Sequence, residues 1–220
     1  EGNPSLYHGV GAFSITDGKI EKGPKPTFTK IFTRVLSHHA EVDDRLVAIT
    51  AAMADGTGLA PFAKRFPKRF FDVGITEQHA ISFAAGLALA GMKPVVAIYS
   101  TFMQRAVDQV IHDIALPGLP IIIAMDRAGL VGHDGETHQG LFDIPLFKSV
   151  PGLTFFSPAN EQEMDLIFDY ALKQEGPVML RYPKDNCLNN LEALGAPLIA
   201  GKGVIIKNPL EADSAPSLII

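Results

Sequence analysis

Two stretches of the 220-residue sequence carry side chains suited to chemistry: "DVGITEQHA" (72–80) and "HDGETHQG" (133–140). In the first, Glu77 stands at a turn directly ahead of the apolar run "ISFAAGLALAG". One role for such an acid is to complement the dipole of a starting helix, with Thr76 as its cap. The other is to present a carboxyl group to a ligand where a strand hands over to a buried helix. The second stretch leaves three roles open. His133, Asp134, Glu136 and His138 offer metal ligands, although without the His-x-x-x-His spacing of helical zinc sites. A merely solvated polar loop fits equally well. Alternatively, Asp134 and His138 handle protons or contact substrate in a cleft, since histidine titrates near neutral pH.

The elements that must position these groups are legible as apolar runs. "LVAIT" (46–50), "FFDVG" (70–74), "PVVAIYS" (94–100), "PIIIAMD" (120–126), "LTFFSP" (153–158) and "PVMLRYP" (177–183) read as strands. Several are continuous rather than alternating, as strands covered on both faces should be. Between them lie the helical segments "FTKIFTRVLSHHAEVD", "EQHAISFAAGLALAG", "TFMQRAVDQVIHDIAL" and "NEQEMDLIFDYALKQEG". In the last, Asn160 is the expected cap, with Glu163 three residues on and Gly176 at the end. Such alternation predicts an α/β fold: a mostly parallel sheet flanked by helices.

Ligands of an open parallel sheet bind beyond the carboxyl ends of its strands. Those ends carry Glu77, then Tyr99, Phe102 and Arg105, then Asp126 and Arg127, then Arg181, Tyr182 and Lys184. A rim of this kind suits an anionic substrate held by arginine, with aromatic surface for a flat ring. The remaining candidates are weaker. "MADGTGLAPF" (53–62) lacks the glycine register of a dinucleotide fingerprint and the Lys-Ser/Thr of a P-loop. His38 and His39 read as a dipole-compensating surface pair at a helix end, and His112 as structural or interfacial.

Composition narrows the class. Hydrophobic residues make up 47% and charged residues 20%, enough for a sizeable core. A formal net charge of −5 without a basic run argues against nucleic acid. The single cysteine, Cys187, rules out an internal disulfide framework and fits a reducing compartment. The most apolar stretch, Ala80 to Met92, falls short of the ~20 residues that span a bilayer. The opening "EGNPSLYHGV" has neither methionine nor signal-peptide pattern, so a processed or excised piece is expected. Three parts are expected along the chain. Residues 1–27 form an arm, 28–187 the main domain, and 188–220 a linker with the start of a truncated C-terminal domain.

"FFDVGITEQHAISFAAGLALAG", "VVAIYSTFMQRAVDQVIHDIA", "DRAGLVGHDGETHQGLFD" and "RYPK" together resemble the 1-deoxy-D-xylulose-5-phosphate synthase family of transketolase-like thiamine diphosphate enzymes. The likeness runs from about Tyr7 to Cys187 and covers the pyrimidine-binding domain. It implies that Glu77 hydrogen-bonds the aminopyrimidine of thiamine diphosphate and promotes loss of the thiazolium proton, with Phe102 packed on the ring. It further implies that Tyr99, Arg127 and Arg181 anchor the acceptor's phosphate, with Arg105 nearby. Asp134 and His138 would contact substrate, and His8 would be an active-site histidine on the preceding segment.

The implied reaction joins two carbons of pyruvate to D-glyceraldehyde 3-phosphate with loss of carbon dioxide, in a homodimer of the cytoplasm or a plastid stroma. No "GDG" followed by asparagine occurs at the family's spacing. The magnesium ligands are therefore expected in an N-terminal domain, and this chain alone is expected to be inactive and to bind the cofactor weakly. Three other identities are weighed: a 2-oxo acid dehydrogenase beta subunit or other transketolase-like domain, a non-catalytic α/β interaction module, and a metal-dependent hydrolase using "HDGETH".

Overall fold

The computed structural model of the chain describes residues 13–19, 26–132 and 134–187. Within these, α1 (Phe28–Val42) leads into β1 (Leu46–Thr50), α2 (Ala60–Arg65) and β2 (Phe70–Asp72). Next come α3 (Glu77–Leu89), β3 (Lys93–Tyr99), α4 (Ser100–Met103), α5 (Val107–Gln109) and β4 (Ile122–Asp126). The chain continues through α6 (Asp143–Phe147), β5 (Thr154–Phe156), α7 (Glu161–Ala171) and β6 (Val178–Arg181).

The six strands form one sheet in the order β2-β1-β3-β4-β6-β5, every pairing parallel. Register explains why the strand sequences are apolar throughout. Ile49, Val96, Ile123 and Met179 line up across four strands and face α3 and the segment 103–114. Their neighbours Ala48, Val95, Ile122 and Val178 face the opposite side, where α1 and α7 pack. A strand with helices on both faces has no polar side. Phe32 of α1 anchors the second layer, fully buried and stacked on Tyr182 at 5.5 Å.

Order and connectivity together locate a crevice. From β1 the chain moves outward to β2, then crosses back to β3 on the other side of β1. The carboxyl ends of β1 and β3 therefore diverge, which is where α/β sheets take their ligands.

Local details depart from the sequence reading at several points. The strands at 70–74 and 153–158 shorten to Phe70–Asp72 and Thr154–Phe156. The helix expected over 101–116 is instead α4, a 3₁₀ turn (Gln104–Ala106), α5 and a π turn (Val110–Ala115). Backbone bonds such as Leu116 N to Ile111 O, five residues apart, replace the regular ladder there. Thr76 does not cap α3: its hydroxyl donates to Val73 O at 2.8 Å. His39 is only partly exposed. It stacks on Phe168 at 5.4 Å, lies 3.3 Å from Asp169, and burial pushes its pKa down. His112 is exposed and bonded to Asp113 at 2.9 Å, which pushes its pKa up.

Helix α7 starts as the sequence predicts but ends at Ala171, ahead of Gly176. Asn160 Oδ1 accepts from Glu163 N at 2.9 Å, and Glu163 Oε2 accepts from Ala159 N at 2.7 Å. Asn160→Ala is expected to cost about 1 kcal/mol, the usual value of an N-cap. Urea unfolding of the full-length protein, followed through this domain's transition, would check it. Finally, the two ends of the domain meet: Thr27 and Asn186 form an antiparallel bridge, with Phe28 N donating to Asp185 O and Cys187 N to Pro26 O.

Candidate active site

The crevice between β1 and β3 is closed below by Tyr99, the last residue of β3. Its ring is 6% exposed, and burial pushes its hydroxyl pKa up to about 12 against the opposing pull of Arg127. Gly56, in the loop after β1, allows this approach, since a Cβ there would overlap the Tyr99 hydroxyl. The Arg127 guanidinium lies 3.9 Å from the Tyr99 ring centroid, a cation–π contact with the arginine 9% exposed. Its Nη1 donates to Gly56 O at 2.6 Å and lies 3.0 Å from Asp126 Oδ1.

Asp126, expected at the rim, lies beneath it with its side chain fully buried. Thr29 Oγ1 donates to it at 2.7 Å and the Arg127 backbone N at 2.8 Å. Burial pushes the Asp126 pKa up, with Arg127 opposing. Arg127 takes a left-handed backbone conformation, φ 59°. That turns its side chain back over β3 instead of continuing the strand, a strained geometry typical of sites held by their surroundings.

Phe102 stacks on Tyr99 at 5.4 Å and meets the edge of His138 at 5.3 Å. The 3₁₀ turn sets Arg105 over Phe102, its Cζ 5.7 Å from the ring centroid. Phe102 in α4 and Arg105 in this turn are three residues apart, a spacing that puts neighbouring side chains on one face of a helical segment. Arg105 also reaches Glu77, with Nη1 at 3.2 and 3.3 Å from the two carboxyl oxygens. Glu77 is 2% exposed in the first turn of α3, whereas the Arg105 side chain is half exposed. Arg105, expected beside the phosphate anchor, thus pairs with the glutamate.

Within the loop 131–140, Gln139 is the organiser. Its side chain accepts from Val131 N at 2.6 Å and donates to Val131 O and Gly135 O at 2.8 and 2.7 Å. His138 Nδ1 and Thr137 Oγ1 are 2.8 Å apart. Asp134 pairs with Lys184 and lies 3.7 Å from Arg127 Nε. Among the described residues no three His, Cys, Asp or Glu side chains converge as metal ligands, and Asp134 is committed to cations.

Arg181 ends β6 on the other side of this loop. Its Nε donates to Asp143 Oδ2 at 2.8 Å and its Nη2 to Gly140 O at 3.3 Å. Glu77, Arg105, Phe102, His138, Tyr99, Arg127 and Asp134 thus form one continuous chain of contacts, and Arg181 joins through the loop. His8 and His133 lie outside the described residues. Sequence reasoning missed Asp143, Thr29 and Gln139, whose partners sit far away in the chain or carry no motif.

A parallel sheet with a buried acid, stacked aromatic rings and arginines beyond the ends of its strands defines an α/β domain with a charged rim. The family model for "transketolase, pyrimidine binding domain" matches residues 24–188, and the chain belongs to that family. Two 1-deoxy-D-xylulose-5-phosphate synthases are similar to it. The protein from Treponema pallidum (strain Nichols) is 54% identical over 213 residues, 97% of this chain and 34% of that protein. The one from Clostridium acetobutylicum is 50% identical over 211 residues, 94% and 34%. The chain therefore spans about a third of the length of these curated relatives.

Among solved structures, "split gene transketolase, inactive beta4 tetramer" matches with TM-score 0.72 at 27% identity, covering 84% of this chain and 60% of that one. Transketolase from Leishmania mexicana matches with TM-score 0.69 at 19% identity, covering 78% and 27%, which supports the fold.

Proposed function

We propose that the chain supplies the pyrimidine-binding half of a 1-deoxy-D-xylulose-5-phosphate synthase. The observation that carries this reading is Glu77, buried and paired with Arg105, which itself lies over the Phe102 ring that stacks on Tyr99. A flat ring with a basic nitrogen needs a carboxyl group at its edge and an aromatic surface on its face. Arg105 already spans both positions, so a planar cationic group fits there. The residues present therefore suit the pyrimidine of thiamine diphosphate.

Bound thiamine diphosphate supplies the electron sink for decarboxylation of a 2-oxo acid. Glu77 holds the ring edge and exchanges a proton there, in a setting that keeps water out. Phe102 fixes the plane of the ring. Arg127 and Arg181 bind the phosphate of the acceptor, Tyr99 supports Arg127 from below, and Arg105 joins the anions once released from Glu77. Asp134 and His138 face the substrate, with His8 added from the arm. The net change is pyruvate plus D-glyceraldehyde 3-phosphate giving 1-deoxy-D-xylulose 5-phosphate and carbon dioxide.

Magnesium and the diphosphate belong to a domain outside this chain, in keeping with its share of the relatives' length, so the chain alone is inactive. The reading also carries a homodimeric enzyme of the cytoplasm or a plastid stroma. The test is carbon dioxide release from carboxyl-labelled pyruvate by the full-length protein, with magnesium and thiamine diphosphate. Release that rises on adding D-glyceraldehyde 3-phosphate is expected. Release indifferent to the aldehyde, or none at all, would overturn the reading.

A further inference from the structure

We infer that Asp143 is a positioning residue, setting the outward edge of Arg181 toward an anionic group of the substrate. The inference rests on the reading above, in which Arg181 meets the acceptor's phosphate. Asp143 opens α6, and its carboxyl group has no exposed surface. One oxygen, Oδ2, accepts from Arg181 Nε at 2.8 Å and from Ser100 Oγ at 3.1 Å. The other, Oδ1, accepts from Ile144 N at 2.9 Å, which fixes the carboxylate to its own helix. Ser100 begins α4 directly after Tyr99, so this one carboxylate ties the ends of β3 and β6 to α6.

What is left of Arg181 is the informative part. A guanidinium has five N–H donors in a rigid fork. Asp143 takes the one on Nε and Gly140 O takes one on Nη2, so three remain on the far edge. Arg181 keeps 15% exposure at its side chain, so it is not sealed from a ligand. An untethered arginine would lose side-chain freedom on binding, a loss that weakens affinity. With Asp143 holding it, that ordering is done beforehand. The packing around the tether is equally committed: a Cβ on Gly140 would overlap Ser100 Oγ and come within 2.6 Å of Arg127 O.

The test uses the full-length protein and compares kcat/KM for D-glyceraldehyde 3-phosphate with that for unphosphorylated D-glyceraldehyde. Asp143→Ala is expected to lower the preference for the phosphorylated aldehyde about tenfold, the scale of one hydrogen bond to a charged group. The KM for pyruvate should stay unchanged. Asp143→Asn, which keeps an acceptor for Arg181 Nε, should recover most of the preference. Damage that is merely structural lowers both aldehydes alike, and an unchanged ratio in Asp143→Ala overturns the inference. If that variant does not fold, Ser100→Ala decides: it removes one brace of the carboxylate and should lower the ratio about threefold, and no change would sink the idea.

Arg181→Ala separates the two levels. If it leaves the ratio intact, the phosphate reading itself fails. If it lowers the ratio while Asp143→Ala does not, only the positioning role fails. In the Arg181→Ala background, Asp143→Ala should change the ratio no further, because both act through one contact.

Discussion

Glu77→Ala in the full-length protein should lower kcat for carbon dioxide release about a thousandfold, while its thermal unfolding midpoint moves little. The size follows from the scale of proton transfer by a positioned side chain, about 10²–10⁴-fold. Stability changes less because the partner of Glu77 is not trapped: the Arg105 side chain is 53% exposed and turns to water when its carboxylate is removed. The helix loses one first-turn acid, about 0.3–1 kcal/mol. Glu77→Gln sharpens the result. It keeps the volume and an acceptor but not the ionisable proton, so it should be nearly as inactive as alanine. A loss of less than about tenfold in both variants would show that the acid serves only the helix.

Arg127→Ala should raise the KM for D-glyceraldehyde 3-phosphate about a hundredfold, with kcat much less affected. A charge-assisted contact to phosphate and the loss of an ordered donor together reach that scale. Here stability does suffer. Asp126 keeps Thr29 and a backbone N–H but loses its counter-charge while fully buried. Breaking one partner of such a pair costs about 3–5 kcal/mol.

The pH dependence of that cost has a definite sign. Burial already raises the Asp126 pKa, and Arg127 is the largest influence opposing it. Removing Arg127 raises it further. A carboxyl group whose folded pKa lies above the unfolded value favours the fold at low pH and loses that contribution as pH rises through the folded pKa. The variant's deficit relative to the parent should therefore grow only as pH rises through the parent's own Asp126 pKa, which burial already holds above the ordinary carboxylate range, and level off above the variant's. Unfolding midpoints measured at pH 5 and pH 8 would check this. An equal deficit at both would mean that Asp126 does not titrate in this range.

The layered architecture was open to sequence reading because burial leaves a periodicity, or erases one. "LVAIT" and "IIAMD" show no alternation since helices cover both sides, and five-residue runs of that kind between helical segments suit central parallel strands. Once the strands were parallel, the rim followed from chain direction alone. This is why Tyr99, Phe102, Arg127 and Glu77 fall into one group on sequence grounds.

What stayed hidden depends on contacts that pattern does not record. Thr29 and Asp126 are 97 residues apart, Ser100 and Asp143 are 43 apart, and neither pair has a spacing rule. The breaks within 100–115 were equally invisible, because apolar residues recur there at helical intervals whether each turn is tight, regular or wide. Those breaks matter, since the tight turn is what carries Arg105 over Phe102 to Glu77.

The bridge between Thr27 and Asn186 bears on how the domain transmits force. Chain enters and leaves at one point, so tension between the flanking segments pulls on this seam and not across the sheet. Two backbone hydrogen bonds clasp it, Phe28 N to Asp185 O and Cys187 N to Pro26 O, and together they make the Thr27–Asn186 bridge. Such a seam opens bond by bond, like a zip, whereas the strands would have to be sheared all at once. This doorway is also next to the site, since Thr27 and Arg127 line one cavity and Thr29 holds Asp126, so opening it would reach the Arg127 wall.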